Sequence, residues 1–319
     1  MLSRAVTRGR RLRAIGFRTV LSILKVRFIY EVVLPAAERC GIQVLPSHYS
    51  SPAPDARQLR DTSAQWFRES NFPGIDFHLD DEERLLTEVT AYKPEYDHLP
   101  HRRVFEQGLG LGYPEVEASL LYAMVRHIKP RTIVEVGSGS STLYSIRALS
   151  ANRRETGVRS KMIAVEPDPR PTLTLTNMKG DCDVEIVPKV AQDLDIDFFK
   201  VLQRDDILFI DSSHVSKLGS DVDYLYLEVL PTLNPGVIVH IHDIPWPYPA
   251  RDLDWVLKRR QYYTEPALVQ ALLINNDAFR ILLSTSYLHH RAPKALRDAF
   301  AAYHTGQTVP TALWLRKET

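Results

Sequence analysis

Cysteine is nearly absent: Cys40 and Cys182 are the only two in 319 residues, and they stand in no metal-ligand spacing. That argues against a disulfide framework and against a structural zinc, and leaves free thiols in a reducing cytoplasm as the simple expectation. A long apolar run is also missing. Charges interrupt the N-terminal apolar stretch from Ile15 to Leu34 too often for a bilayer-spanning helix. No small-residue cleavage site follows a clean apolar core, which argues against a secretory signal. Net charge is only +1, so a general nucleic-acid binder is not expected. Neither a repeat nor a low-complexity tract occurs. The phosphate loop G-x-x-x-x-G-K-[ST] is missing, and so is the third glycine of G-x-G-x-x-G.

The remaining composition is that of a globular protein, 44% apolar and 25% charged, long enough for one large domain or a domain plus an extension. Charge is uneven. Arg4, Arg8, Arg10, Arg11, Arg13, Arg18, Lys25 and Arg27 all precede the first acid, Glu31. Residues 1–50 therefore read as a basic amphipathic segment with three readings open. It could be an accessory helix with a solvated basic face, a helix resting on an anionic membrane surface, or an organelle transit peptide. Residues 51–112 read as a helical accessory region, ending in the loop Gly108-Leu-Gly-Leu-Gly112. A third region, 113–319, carries every cofactor motif discussed below.

The most informative stretch is Thr132-Ile-Val-Glu-Val-Gly-Ser-Gly-Ser-Ser-Thr142, an apolar β-branched run stopped by a glycine turn. Gly137 and Gly139, with Ser138 between them, let backbone approach a ligand where a side chain would collide. Glu135 stands just before the turn, placed to meet a polar or positive group. A second apolar run, Met162-Ile-Ala-Val, leads into Glu166, where a ribose-binding acid belongs in a doubly wound nucleotide fold. A strand-borne carboxylate would repel a pyrophosphate and tolerate a sulfonium cation.

Strands are predicted over 131–137, 161–166, 184–188, 206–211, 236–241, 279–284 and 311–316, with helices near 141–150, 219–231 and 264–276. Before them, Pro114 opens a helix with Val116, Leu120, Leu121, Met124, Val125 and Ile128 on one face. Such alternation implies an α/β, Rossmann-like doubly wound sheet of seven strands with helices on both faces. The fourth strand ends in Asp211, with His214 three residues on, and the fifth ends in His242 and Asp243. Ligands of open α/β sheets bind beyond the carboxyl ends of the strands at the switch point, so these four residues are expected in one crevice with Gly137 and Glu166.

Asp211-Ser-Ser-His214, Gly219-Ser-Asp-Val, Leu230-Pro-x-Leu-x-Pro-Gly236 and His240-Ile-His-Asp-Ile244 resemble the class I S-adenosylmethionine-dependent methyltransferases of family 24. That group includes sugar and macrolide O-methyltransferases, and the likeness runs from Tyr113 to Leu315. His48-Tyr-x-Ser-Pro-x-Pro54 and Gly74-Ile-Asp76 are similar to a subset with an N-terminal extension. The resemblance implies a final antiparallel strand and S-adenosylmethionine held by Glu135, Gly137, Ser138, Gly139 and Glu166, with Asp211 beside it. It also implies Asp193 near the adenine after the third strand.

The expected reaction is methylation of a hydroxyl on a sugar, glycan or glycosylated metabolite. His214 is the expected base and Asp211 its partner, because imidazole titrates in the useful range. Asp211 and Asp243, with His242, could instead hold Mg²⁺, as related enzymes do through carboxylates. Ile244 stands where a catechol-type site has an amide, and imidazole suits a hard cation poorly. Two other classes stay open: a non-catalytic methyltransferase-like binding module, and a nicotinamide-dependent oxidoreductase, disfavoured by the missing glycine and the lack of a Tyr-x-x-x-Lys pair. A cytoplasmic location, with or without peripheral membrane contact, and a small-molecule or glycan partner complete the expectation. So does a homo-oligomer as an open alternative. Trp246, Tyr248, Trp255, Tyr262 and Tyr263 read either as packing or as ring-stacking substrate contacts.

Overall fold

A computed structural model of the chain describes residues 28–45, 50–101, 113–169, 181–306 and 309–319. Contacts divide it into two compact units, Met1–Asp61 and Thr62–Thr319. In the first, a π-wound turn Ile29–Val33 runs into a helix Leu34–Arg39, and a second helix spans Ala56–Asp61. The basic stretch up to Arg27 and the Gly108–Gly112 loop lie outside the described residues.

The second unit begins with α1 (Leu79–Val89) and α2 (Glu115–Ile128). Glu115 and Glu117 occupy the first turn of α2 and Arg126 and His127 the last, so side-chain charge complements the helix dipole at both ends. Lys129 ends the helix in a left-handed turn, its N–H returning to the carbonyl of Val125. The strands follow: β1 (Thr132–Val136), then α3 (Ser140–Thr156), β2 (Lys161–Val165), β3 (Asp183–Val187), β4 (Ile207–Ile210) and β5 (Ile238–Ile241). A helical stretch from Asp221 to Thr232, π-wound over Leu225–Val229, joins β4 to β5. Then come α4 (Glu265–Leu273), β6 (Phe279–Ser284), α5 (Thr285–Arg291), α6 (Pro293–Ala299) and β7 (Leu313–Lys317).

All seven strands fall within two residues of their predicted bounds. Their order is β3-β2-β1-β4-β5-β7-β6. β1 pairs in parallel with both β2 and β4, β4 in parallel with β5, and β7 antiparallel to β5 and β6. The expected fold class is the observed one. The winding reverses between β1 and β4, which opens a crevice at their carboxyl ends.

Alternate strand residues feed two cores, as the two-residue period requires. Ile133, Met162, Ile207, Phe209, Ile238 and Trp314 pack under α2, α3 and α6, with Leu86, Val89 and Tyr96 in the same cluster. Val134, Val136, Ile163, Leu208, Ile210, Val239 and Leu315 pack on the opposite face with Val222, Leu225, Val229 and Val269. With both faces covered, the central strands are continuous apolar runs rather than alternating ones. Residues 62–96 thus help to build the main core, and the helices expected as a separate accessory region belong largely to this unit.

Because the unit from Thr62 onward holds both cores, deleting residues 1–41 is expected to leave its calorimetric unfolding midpoint within a few degrees. Loss of the cooperative transition on truncation would show that the segment completes the fold.

Candidate active site

Gly137 leaves β1 with φ +91°, and a Cβ there would stand 2.3 Å from the carbonyl oxygen of Asp211. The two strand ends are tied at that point: Asp211 N–H donates to Val136 O and Gly137 N–H to Val165 O, both at 2.9 Å. Glycine is therefore needed here twice, for its dihedral and for the close approach of β4. Gly139 differs. Its backbone is extended, and its N–H donates to Thr142 Oγ1 to open α3.

The crevice beyond these ends is an open cavity of about 390 Å³, between Gly137, Glu166, the 189–192 turn, Asp211 and the Lys217–Asp221 loop. Glu166 stands where expected. Its Oε2 accepts the Ser138 N–H at 3.1 Å and its Oε1 the Asp168 N–H at 3.0 Å. Two backbone donors thus fix the carboxylate at the wall, free to accept further hydroxyl donors.

Two expected ligand residues are placed differently. Asp193 closes the short 3₁₀ turn Ala191–Asp193 and is exposed, and its neighbour Gln192 lines the crevice instead. Glu135 is wholly buried beneath the loop, where Ser141 Oγ donates to its Oε1 at 2.6 Å. Burial pushes its pKa up to about 8, against the opposing effect of the Ser141 and Thr142 hydroxyls.

The strand-end residues meet as the sequence implied. His214 Nε2 lies 3.4 Å from Asp211 Oδ1 and 3.7 Å from Asp243 Oδ2, and His242 Nδ1 lies 3.3 Å from Asp211 Oδ1. Behind each histidine stands a buried glutamate. Glu265 Oε2, at the start of α4, is 2.7 Å from His214 Nδ1, and Glu117 Oε2, on α2, is 3.3 Å from His242 Nε2. Glu265 also accepts the Tyr226 hydroxyl at 2.8 Å, and Glu117 accepts both the N–H and the hydroxyl of Thr311. Thr311 reaches on to Asp243 Oδ1 at 3.2 Å.

Electrostatics follow from this packing. Burial disfavours a charge on His214, but the carboxylates of Asp211 and Glu265 outweigh it and hold the pKa up at about 10. His242 is likewise raised well above the ordinary imidazole value, burial being outweighed by Glu117, Asp211 and Asp243. Burial would raise Asp211 too, yet the two imidazoles hold its carboxyl well below the usual range. His240 behaves oppositely. Burial pushes it down to about 3, and it stays neutral, stacked on Trp314 at 4.1 Å with the Tyr113 hydroxyl 2.7 Å from Nε2.

Backbone strain marks the same place. His214 and Asp243 both adopt left-handed dihedrals, φ +60° and +59°. Such residues typically cost on the order of 1–3 kcal/mol each and persist only where surroundings impose them. For His214 the surroundings are evident: its carbonyl accepts the N–H groups of Thr264 and Glu265 while its ring bonds the Glu265 carboxylate.

Asp211, Asp243 and His242, expected as Mg²⁺ ligands, do come together. Their polar atoms face one another as ion-pair partners, and among the described residues no group of three or more His, Cys, Asp or Glu side chains is placed to hold a metal ion. The two carboxylates suit Mg²⁺ by type, and the imidazole suits it poorly.

The aromatic cluster after β5 divides. Trp246 packs on Phe72 and Phe77 in the core, and Tyr248 stacks on Phe67 while bonding Glu69. Trp255 and Tyr263 instead line a second cavity beside Asp243.

Glu117, Glu265 and Thr311 are the residues that sequence reasoning missed. Glu117 carried a signal, because it lies on the apolar stripe of α2, three and four residues before Leu120 and Leu121. Glu265, between Thr264 and Pro266, looks like an ordinary first-turn acid and carried none.

Residues 134–244 match the family described as a methyltransferase domain. An uncharacterized protein of Archaeoglobus fulgidus is 25% identical over 167 residues, which is 50% of this chain and 73% of its own length. Among solved structures, the chain is similar to the SAH-bound Podospora anserina methyltransferase PaMTH1, at 13% identity over 87% of this chain and 99% of that one, with a TM-score of 0.39. It is similar to the O-methyltransferase from Bacillus cereus in complex with SAH at 13% identity, over 82% and 97%, with a TM-score of 0.40. The matched residues 134–244 carry Gly137, Glu166, Asp211, His214, His242 and Asp243, so all six lie in the stretch similar to a methyltransferase domain.

Gly137→Val is expected to cost at least about 2 kcal/mol of stability as well as to obstruct the crevice, because the new Cβ meets backbone of β4. An unchanged calorimetric midpoint would show that the strand ends part without penalty.

Proposed function

We propose that this methyltransferase domain moves the methyl group of S-adenosylmethionine to a hydroxyl of a sugar, a glycan or a glycosylated metabolite. One observation carries the reading: Asp211 is at once a wall of the crevice and the centre of the histidine–carboxylate cluster. The Gly137 turn and the anchored Glu166 suit a nucleoside, with the Glu166 carboxylate accepting the ribose hydroxyls. A pyrophosphate would meet the crowded carboxylates of Asp211, Asp243 and Glu166, which disfavours the nicotinamide alternative.

Bound S-adenosylmethionine supplies an electrophilic methyl carbon on a sulfonium. The chain's own task is to place the acceptor oxygen in line with it and to remove the proton. His214 is suited to the second part. Glu265 holds Nδ1, so the ring presents Nε2 to the space shared with Asp211 and Asp243. In the transfer, the acceptor oxygen forms the new bond to carbon as its proton passes to Nε2, and the carbon–sulfur pair stays with sulfur. The products are a methyl ether, S-adenosylhomocysteine and an imidazolium held between Glu265 and Asp211. A non-catalytic module has no evident use for two strained, doubly paired strand-end residues. No step is routed through a metal.

A raised pKa gives His214 driving force and leaves little of it unprotonated at neutral pH. The rate on a competent acceptor is therefore expected to climb with pH from 7 and to level off only near 10. The same shift affects stability: the His214–Glu265 pairing contributes fully below the ordinary imidazole range and is lost as pH rises through about 10. A rate independent of pH between 7 and 9 would remove His214 from the proton path.

His214→Ala is expected to lower turnover by roughly 10²–10⁴-fold with cofactor affinity nearly unchanged. Glu265→Gln should flatten the alkaline limb by lowering the imidazole pKa. Calorimetry should show S-adenosylmethionine and S-adenosylhomocysteine binding with little affinity for NAD, and the reverse order would sink the proposal. Turnover should survive chelation. Loss restored by Mg²⁺ would instead reassign Asp211 and Asp243 as metal ligands.

A further inference from the structure

The unit Met1–Asp61 carries a surface that methyl transfer does not use. Its π-wound turn Ile29–Val33 and the helix Leu34–Arg39 that continues it contain no buried residue. Yet the run Phe28-Ile-Tyr-Glu-Val-Val-Leu34 is apolar at every position but Glu31. A helical stretch apolar all round belongs in a core. Here Phe28 is 59% exposed, and Tyr30 and Val32 are each 50% exposed. Past the helix, Ile42, Val44 and Leu45 are exposed as well. Most of the exposed large apolar side chains among the described residues fall in this one short span. Single exposed apolar residues are ordinary on a surface, but a concentration of them marks a contact still to be made.

Charge decides what makes that contact. Residues 1–27 contain seven arginines, one lysine and no acid, and Lys25 and Arg27 lie within three positions of Phe28. A second copy of the chain would bring the same positive charge against the first, so self-association is opposed. A nucleic acid would answer the charge and leave the apolar side chains in water. A bilayer surface rich in anionic lipid answers both. Its phosphates meet the guanidiniums, and the boundary between headgroups and acyl chains takes the apolar side chains. The contact is peripheral, because among the described residues no helix is long and apolar enough to cross a membrane.

We propose that residues 28–45 dock on an anionic bilayer surface, with Phe28, Tyr30, Val32 and Val33 entering the headgroup–acyl boundary and the preceding basic run facing the lipid phosphates. The proposal is independent of the reading of the active site, since no residue of the crevice takes part in it.

Cys40 is exposed and Cys182 buried, so a thiol-reactive, polarity-sensitive fluorophore can be placed at Cys40 of the full chain, just past the helix. Vesicles of phosphatidylcholine with about one third phosphatidylglycerol should shift its emission to the blue. They should bind the chain about ten-fold or more tightly than vesicles of phosphatidylcholine alone. Raising the salt from about 0.1 M to about 1 M should weaken that preference, as screening requires. Phe28→Glu and Val32→Glu together should weaken binding to the anionic vesicles about ten-fold with the thermal midpoint unchanged. Arg10→Gln, Arg11→Gln and Arg13→Gln together should reduce the preference for anionic over neutral vesicles and leave neutral binding as it was. Absence of vesicle binding, or equal binding to both compositions, overturns the proposal. So does a double glutamate variant that binds like the parent, because the apolar surface would then have no part in docking. A lowered midpoint in that variant would place these side chains in the fold and overturn it equally. Tighter binding to duplex DNA than to anionic vesicles would assign the basic run to nucleic acid. Sedimentation showing a dimer that the glutamate substitutions dissolve would assign the surface to a second copy, and either result defeats the membrane reading.

Discussion

The contact between Gly137 and Asp211 is the constraint on which the site depends. The Asp211 carbonyl fills the space where a side chain on residue 137 would stand, and the adjacent N–H closes the last bond of the β1–β4 ladder. Where the main chain of Asp211 goes, its carboxylate follows. From there it reaches the two imidazoles that carry the positive charge of the cluster. A displacement of β4 by even a fraction of an ångström would move the glycine turn and the histidine–carboxylate cluster together, because both are built on one strand junction rather than on separate loops.

Around that junction the two histidines are supported symmetrically and from outside the matched domain segment. Glu117 comes from α2, ahead of β1, and Glu265 from α4, beyond β5. Each glutamate is buried, and each is bonded to other groups as well as to its imidazole. Removing one partner from such an arrangement leaves a buried charge uncompensated, which is costlier than the pairing itself is favourable. The cluster therefore ties the flanking helices to the strand ends, and the left-handed backbone of His214 and Asp243 is held by those ties rather than by intrinsic preference.

Much of this was legible in the sequence because it rests on periodicity and punctuation. Runs such as Ile207-Leu-Phe-Ile and Ile238-Val-His-Ile are apolar throughout since helices cover both faces of the sheet, and their ends are marked by Asp211 and Asp243. Convergence of the strand-end acids and histidines followed from topology alone. What could not be read was which way each side chain turns. Glu135 precedes the glycine turn on the face that packs under α3, so it goes into the core and bonds Ser141, while Glu166 sits one position past the last residue of its strand and stays at the wall. Gln192 rather than Asp193 lines the crevice for a similar reason, since a 3₁₀ turn rotates successive residues by about a third of a circle. Glu265 was hidden because its partner lies 51 positions away in sequence and only the fold joins them.

Three histidines within one sheet edge show how position decides charge. His240 in β5 and His242 just beyond its end are two residues apart and so share a face. His240 lies within the ladder, where Leu313 and Tyr113 offer a carbonyl and a hydroxyl and Trp314 covers the ring. Neutral partners and full burial keep it uncharged. His242 has left the ladder and meets Glu117, Asp211 and Asp243, and His214 meets Asp211, Asp243 and Glu265. Burial acts on all three in the same direction, so the number of adjacent carboxyl groups is what separates them. Desolvation without a counter-charge leaves a structural residue, and desolvation among carboxylates leaves one able to hold or release a proton. The line between a neutral and a charged imidazole in this protein runs along β5, between its third residue and the first residue beyond its end.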